Sequence, residues 1–375
     1  MTSIGPQPPA QPDPTPPGTA TPAGVHHPSP DQPGAPAQWA WAQQQPPLLQ
    51  TVETEPLEYH RLLRGVQNYR WWKPLLLLLL SGVYFGILTV AITVLLMPVM
   101  MMFDPSWAME VATGDAEMLD TQRPVSILLS MLSIIIMIPA VLLAMLTLGM
   151  RPMGRVWSVA TRIRWGLLWR LTGAAVVAVV VMNLVGIASE FAMNPTLVSE
   201  PMVEQGADFD VNAALLSALL ILILVPFQAT AEEVVFRGLF MQVLGSWLKN
   251  PWFAILIPSV GFALAHIYDI WGLMAVGLMG VVAAWLTWRT GGLEAAIAIH
   301  VINNLVAFGF MTAGFGGETA QTAEAGGPGG VIGEIAGLAV FIWLTLRIVR
   351  RGGHGRTRID LVQIAVPAEQ GVARG

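Results

Sequence analysis

Long apolar segments constrain this 375-residue chain more than any other feature of its sequence. A helix that crosses the hydrocarbon core of a bilayer needs about 20 apolar residues, because each residue adds only about 1.5 Å. Runs of suitable length lie at residues 74–102, 124–149, 165–188, 211–235, 252–268, 271–288, 293–312 and 331–349. Only 11% of the residues are charged, which is far below the roughly 25% of a typical soluble domain. We therefore predict an all-α polytopic membrane protein with about eight transmembrane helices.

The segments that flank the apolar runs differ in composition. Residues 1–50 are rich in proline and poor in large apolar side chains, which predicts a disordered tail and makes it a candidate for binding a cytoplasmic partner. Residues 51–73 place Leu62, Val66 and Tyr69 on one helical stripe, which predicts a juxtamembrane amphipathic helix at the membrane interface. The chain ends in a basic tail at residues 351–375.

Basic residues are concentrated in alternate loops between the predicted spans. These residues are Arg61, Arg64, Arg70, Lys73, Arg151, Arg155, Arg162, Arg164, Lys249, Arg289 and the arginines that follow the last span. The other loops are acidic, and Arg123 is the only basic residue near them. Since loops rich in lysine and arginine remain in the cytoplasm, we predict that both termini are cytoplasmic. In a prokaryote the protein would lie in the plasma membrane, with the lipid bilayer as its surroundings.

The stretch TAEEVVFRG, residues 230–238, adds two carboxylates and an arginine to an uncharged run. Ionised groups inside a bilayer cost at least a few kcal/mol, so they are usually paired or face a cavity. Glu233 and Arg237 are four residues apart, which favours an ion pair on one face of a helix. Glu232 points about 100° away and is free to face a cavity. The same three residues would also fit a purely structural salt-bridge cluster.

Two histidines lie inside predicted spans, within FALAH at 262–266 and HVINN at 300–304. A lone histidine between apolar residues is more often a packing group than a catalyst, but two of them beside a diacid indicate a site. Phe262 lies one turn before His266, and Asn304 lies one turn after His300. Asn303 fits the second spacing nearly as well as Asn304.

The sequence excludes several protease mechanisms. Cysteine is absent, so there is no thiol nucleophile, disulfide or thiolate metal site. The motifs HExxH, GxSG and GxGD are also absent. A carboxylate and an imidazole that polarise water remain, together with donors that stabilise an oxyanion. This combination favours hydrolysis without a covalent intermediate.

The three motifs EEVVFRG, FALAH and HVINN resemble the EExxxR, FxxxH and HxxxN motifs of the CPBP family, also called the Abi family, which includes the type II CAAX prenyl endopeptidases. The resemblance covers residues 211–312 and implies an intramembrane endopeptidase that hydrolyses membrane proteins or peptides. By this resemblance Glu232 and His266 activate the water, and His300 and Asn304 form the oxyanion hole. Glu233, Arg237 and Phe262 would support the site.

Two further membrane segments lie outside the region of resemblance. Residues 74–210 would form N-terminal transmembrane helices and loops, and residues 313–350 a loop and the last transmembrane helix.

The residues of the candidate site also allow other functions. We expect no cofactor, but Glu232, His266 and His300 would also suit a zinc site with an open position. The same residues could serve a proton-coupled transporter, or the protein could bind peptides without cutting them, as in immunity. No nucleic-acid partner is expected.

Overall fold

The computed structural model describes residues 48–366 except 68, 116–118, 200–202, 204, 207–208, 318 and 323–326. The tail predicted at residues 1–50 therefore lies outside the described residues, apart from its last three, and so does the end of the basic tail at 367–375. The proposed tail partner stays a prediction. Residues 48–50 are not part of a disordered segment, because they begin a β-strand, β1 (Leu48–Glu53).

The described chain is mostly helical. Its α-helices are α1 (Lys73–Phe103), α2 (Pro105–Thr113), α3 (Pro124–Ile135), α4 (Met137–Thr147), α5 (Trp165–Met193), α6 (Val211–Glu233), α7 (Met241–Trp247), α8 (Pro251–Leu264), α9 (Ile270–Thr290), α10 (Glu294–Ala313) and α11 (Pro328–Gly352). Among the described residues, seven helical segments are long and apolar enough to cross a membrane: α1, α3 with α4, α5, α6 through α7, α9, α10 and α11. The fold is that of an all-α polytopic membrane protein, as predicted.

The run predicted to span the membrane at 252–268 forms only the 14-residue helix α8. At about 1.5 Å per residue such a helix reaches about 21 Å, less than the roughly 30 Å of hydrocarbon. Helix α8 ends at Leu264, and Asp269 then caps α9 by accepting a hydrogen bond from Gly272 N at 2.8 Å. Helices α8 and α9 thus form a hairpin, and its tip at residues 265–269 carries His266.

The predicted amphipathic helix at residues 51–73 is wrong in type and extent. This segment forms β1, a short strand β2 (Leu57–Glu58) and a 3₁₀ helix at Tyr59–Gly65. Of the predicted apolar stripe, Leu62 and Val66 are buried and Tyr69 is half-buried, and the 3₁₀ helix packs against α7. The Tyr59 hydroxyl donates a hydrogen bond to the Val156 carbonyl. Contacts distant in sequence therefore decide the local structure here.

The two described ends of the chain meet at one end of the helix bundle. Strand β1 pairs with β4 (Leu361–Val366), and β2 pairs antiparallel with β3 (Thr357–Arg358). The buried Arg155 guanidinium joins them, because it binds both carboxylate oxygens of Asp360 and also donates to the Leu62 and Gly65 carbonyls. We call this the arginine-rich end. Helix α5 begins there, and α7, α9 and α11 end there.

At the opposite, acidic end, the loop before α3 holds the loop after α10. Thr121 N donates to the Thr319 carbonyl at 2.8 Å, and Asp120 forms an isolated β-bridge with Ala320. Between the two ends, α5 and α11 pack at close range. A Cβ at Gly333 would lie 2.3 Å from the Met182 carbonyl oxygen, so only glycine permits this approach.

Candidate active site

A π-helical turn follows the two adjacent glutamates. Helix α6 ends at Glu233, and residues Val234–Phe240 form the π-helix before α7 continues in the same direction. π-Helical turns are rare and often lie at functional sites. This π-helical turn keeps Glu233 and Arg237 on the same side of the segment. Glu233 contacts α10 there, and Arg237 contacts α9.

Glu233 and Arg237 form the ion pair that their spacing predicts. The Arg237 guanidinium donates to Glu233 Oε1 at 2.9 Å and to the Gly280 carbonyl at 3.2 Å. It also lies 4.3 Å from the centroid of the Phe262 ring. Both charged side chains are 1% exposed. A Cβ at Gly280 would lie 3.3 Å from the guanidinium, so glycine lets α9 approach the pair closely.

His300 on α10 connects the two glutamates. Its Nδ1 lies 2.7 Å from Glu233 Oε1, within hydrogen-bond distance, and its Nε2 lies 3.3 Å from Glu232 Oε2. Since a carboxylate only accepts hydrogen bonds, His300 donates Nδ1–H to Glu233. The imidazole is buried, and Glu232 Oε2 is buried without a hydrogen-bond partner among the described residues. One oxygen of Glu232 therefore faces the same space as His300 Nε2.

Phe262 lies between the two imidazoles. Its ring centroid is 4.8 Å from that of His266 and 5.6 Å from that of His300, both in edge-to-face geometry. His266 lies just beyond the end of α8 rather than inside a transmembrane helix, and its Nδ1 is 2.8 Å from the Phe262 carbonyl oxygen. Because a carbonyl cannot donate, Nδ1 carries the proton and Nε2 presents a lone pair.

Asn304 belongs to the same region through a residue that the sequence did not single out. Its amide nitrogen donates to Gln228 Oε1 at 3.2 Å. Gln228 is buried on α6, four residues before Glu232 and thus on the same helical face. A buried amide inside an apolar helix, one turn from a candidate base, is a signal that the sequence contained. The spacing alone did not choose between Asn303 and Asn304.

A loop from the acidic end reaches the tip of the α8–α9 hairpin. Gln321 donates to the Tyr268 hydroxyl at 2.9 Å, and the Tyr268 ring centroid lies 5.5 Å from that of His266. The Gln321 backbone amide is held in turn by the Leu119 carbonyl. Non-helical backbone is stable at membrane depth only where protein or a water-filled cavity surrounds it, and this loop provides such a cover for the tip.

The alternative zinc ligands Glu232, His266 and His300 stay a hypothesis. Within the part of the chain that the structure describes, no three histidine, cysteine, aspartate or glutamate side chains are arranged to hold a metal ion. His300 directs its two ring nitrogens at Glu233 and at Glu232, which would itself have to be a ligand. The cofactor question stays a prediction that chelation tests directly.

The fold and the site define a polytopic membrane protein in which two glutamates of α6, a histidine of α10 and a histidine of the α8–α9 tip lie close together. Residues 214–306 match the family model described as "Rce1-like: Type II CAAX prenyl endopeptidase Rce1-like", which confirms the resemblance to the CPBP family over this segment. The match supports the interpretation of the chain as an intramembrane protease of the CAAX type.

A curated relative matches a smaller part of the chain. It is the "Uncharacterized protein YyaK" of Bacillus subtilis (strain 168), which is 35% identical over 98 residues, or 24% of this chain. The chain therefore spans about one third (33%) of that relative's length. No solved structure matches the chain.

We predict that Arg237→Gln destabilises the fold. Removing the cation leaves Glu233 buried beside one imidazole, and breaking a buried pair costs about 3–5 kcal/mol. Chemical unfolding of the purified protein in detergent measures this loss. Arg347→Gln is the matched control, since that guanidinium is exposed and lies 5.5 Å from the Trp343 ring. Equal unfolding midpoints for the two variants would contradict a supporting role for Arg237.

Proposed function

We propose that this protein is an intramembrane endopeptidase that hydrolyses peptide bonds of membrane proteins or peptides. The observation that carries the proposal is the contact of His300 with both glutamates. Glu233 is held by Arg237 and is 1% exposed, whereas Glu232 has no arginine or lysine partner among the described residues and its side chain is 13% exposed. Glu232 is therefore the carboxylate that can reach a water molecule. The match of residues 214–306 to the protease family supports the same conclusion.

In this proposal Glu232 is the general base. It removes a proton from a water molecule, which then attacks the scissile carbonyl, and it returns the proton to the amine that leaves. A general base typically contributes about 10² to 10⁴-fold to the rate. Glu232 suits this role better than Glu233, because Glu233 Oε1 already accepts hydrogen bonds from Arg237 and His300.

His300 is proposed to stabilise the oxyanion through Nε2–H. Glu233 accepts a hydrogen bond from Nδ1–H and fixes the ring. In the proposed role Nε2 carries a proton as well, so His300 is an imidazolium. Two carboxylates, one guanidinium and one imidazolium then sum to zero charge, as expected for a group of charges away from water. The Nε2 donor and the Glu232 oxygen, 3.3 Å apart, would thus act on one tetrahedral centre.

His266 and Asn304 would complete the site. The free Nε2 lone pair of His266 can accept a hydrogen bond from the attacking water and orient it while Glu232 removes the proton, in line with the shared role in water activation that the family resemblance implies. Asn304 donates one amide hydrogen to Gln228 and keeps a second for the oxyanion. We propose that Gln228 is a positioning residue, because it fixes the orientation of the Asn304 amide from the helix that carries Glu232.

The catalytic proposal predicts that Glu232→Gln loses about 10² to 10⁴-fold in kcat with little change in KM. A candidate substrate is identified by comparing the membrane peptides of cells that produce the wild type with those of cells that produce this variant. Cleavage of that peptide by the purified protein in liposomes then gives kcat and KM. Glu334→Gln is the control, because it makes the same substitution at a buried glutamate on another helix, α11.

Three outcomes of this experiment would contradict the proposal. Full activity of the Glu232→Gln variant rules out the base. If the wild type cleaves no peptide but moves protons or solute across liposomes, and the Glu232→Gln variant does not, the result supports a transporter. Inactivation by a chelator with recovery on zinc addition supports the metal version of the site.

The positioning role predicts that Gln228→Leu lowers kcat by less than the roughly 10² to 10³-fold expected for Asn304→Ala. The Gln228→Leu/Asn304→Ala double variant should be no slower than Asn304→Ala, because both changes act through one amide. Steady-state kinetics on the same peptide give the three values, and melting temperatures check that the variants fold. Multiplicative losses in kcat would show that Gln228 acts independently of Asn304.

We also propose that the arginine-rich end faces the cytoplasm, which places both termini there. The absence of cysteine makes a direct test simple, because single-cysteine variants have no background. A membrane-impermeant maleimide should label Asp115→Cys at the acidic end of intact cells, and Ala160→Cys only after the cells are lysed. Both positions are exposed. The reverse pattern would overturn this orientation.

A further inference from the structure

A cavity of about 680 Å³ opens at the arginine-rich end beside the first turns of α5. The loop before α5 and the residues that follow α11 form its walls, and its lining includes Arg162, Arg164, Arg170 and His354. None of these residues belongs to the proposed catalytic site, so the cavity needs a separate explanation.

The arginines of this cavity differ in their partners. Arg164 is neutralised, because Glu294 accepts hydrogen bonds from its Nε at 2.9 Å and from its Nη2 at 2.7 Å. The guanidinium groups of Arg162 and Arg170 are exposed and form no hydrogen bond or ion pair with any residue that the structure describes. The cavity therefore presents two uncompensated positive charges.

A second cavity at the same end serves as an internal comparison. It has nearly the same volume, about 670 Å³, and is also lined by arginines. There Arg155 and Arg358 share the Asp360 carboxylate, and the exposed Arg151 forms no ion pair with a described residue. Both cavities therefore carry uncompensated positive charge, and charge alone does not single out the cavity beside α5.

The pKa of His354 agrees with a positive potential in the first cavity. Partial burial lowers this pKa below its usual value, and the Arg164 and Arg170 guanidinium groups lower it further. Guanidinium groups bind phosphate oxygens through paired N–H donors, so a phosphate is the anion that this cavity suits best.

The surroundings indicate a lipid as the source of that phosphate. Trp165 and Trp169 lie one turn apart at the start of α5, with 58% and 67% of their surface exposed. Exposed tryptophans at the end of a transmembrane helix are typical of the headgroup level. We propose that this cavity binds the phosphate headgroup of an anionic phospholipid, with Arg162 and Arg170 as its ligands and the two tryptophans against its acyl chains.

The test measures binding of phosphatidylglycerol to the purified protein by native mass spectrometry, with phosphatidylcholine of the same acyl chains as the neutral reference. A basic residue near an anionic surface contributes about 5-fold in affinity, so Arg162→Gln with Arg170→Gln should weaken phosphatidylglycerol binding by about 30-fold. Arg350→Gln with Arg351→Gln removes the same charge from the end of α11 and should change it little.

The outcomes separate the site from general charge effects. Equal weakening in the two double variants would overturn the proposal, and so would equal affinity of the wild type for the two lipids. Competition by millimolar glycerol 3-phosphate would show that a free phosphate, and not a lipid, is the ligand. Melting temperatures in phosphatidylcholine verify that the variants are folded. These readouts are independent of peptidase activity.

Discussion

The placement of two adjacent carboxylates in an apolar helix is the constraint on which the rest of this structure depends. Glu232 and Glu233 are the last two residues of the otherwise uncharged helix α6, and isolated charges in such surroundings are too costly to persist. Arg237 binds Glu233 at 2.9 Å, and the ring nitrogens of His300 lie 2.7 and 3.3 Å from the two carboxylates. Helices α6, α9 and α10 must therefore converge at one point, because each supplies a partner of this cluster.

Several local features of the fold follow from that convergence. The π-helical turn at Val234–Phe240 lies where the ion pair forms, and Gly280 admits α9 to hydrogen-bond distance of the guanidinium. The short helix α8 ends early, so that His266 lies in the hairpin tip and not on a helix surface. The pairing also divides the two glutamates: Glu233 binds Arg237, whereas Glu232 has no arginine or lysine partner among the described residues and is more exposed.

The sequence predicted the features that depend on local spacing or on composition. The apolar runs gave the membrane fold, and the four-residue separation of Glu233 and Arg237 gave their pair. The sequence alone did not predict features that depend on contacts between residues far apart in the chain. Residues 51–73 have a helical stripe, yet contacts with α7 and the residue 153–156 turn produce strands and a 3₁₀ helix. The contact of His300 with both glutamates joins residues 67 positions apart, so no periodicity indicates it. Gln228 was missed because its partner lies 76 residues away.

The central claim is that a water molecule activated by Glu232 attacks the scissile carbonyl directly. A single-turnover cleavage in H₂¹⁸O, with the protein in excess over a membrane peptide and a chelator present, tests it. Mass spectrometry of the new carboxyl terminus and of the peptide that contains Glu232 locates the label. The account predicts one ¹⁸O in every product molecule and none in Glu232. Unlabelled product with ¹⁸O in Glu232 would show that the carboxylate attacks the substrate itself, and would contradict the account.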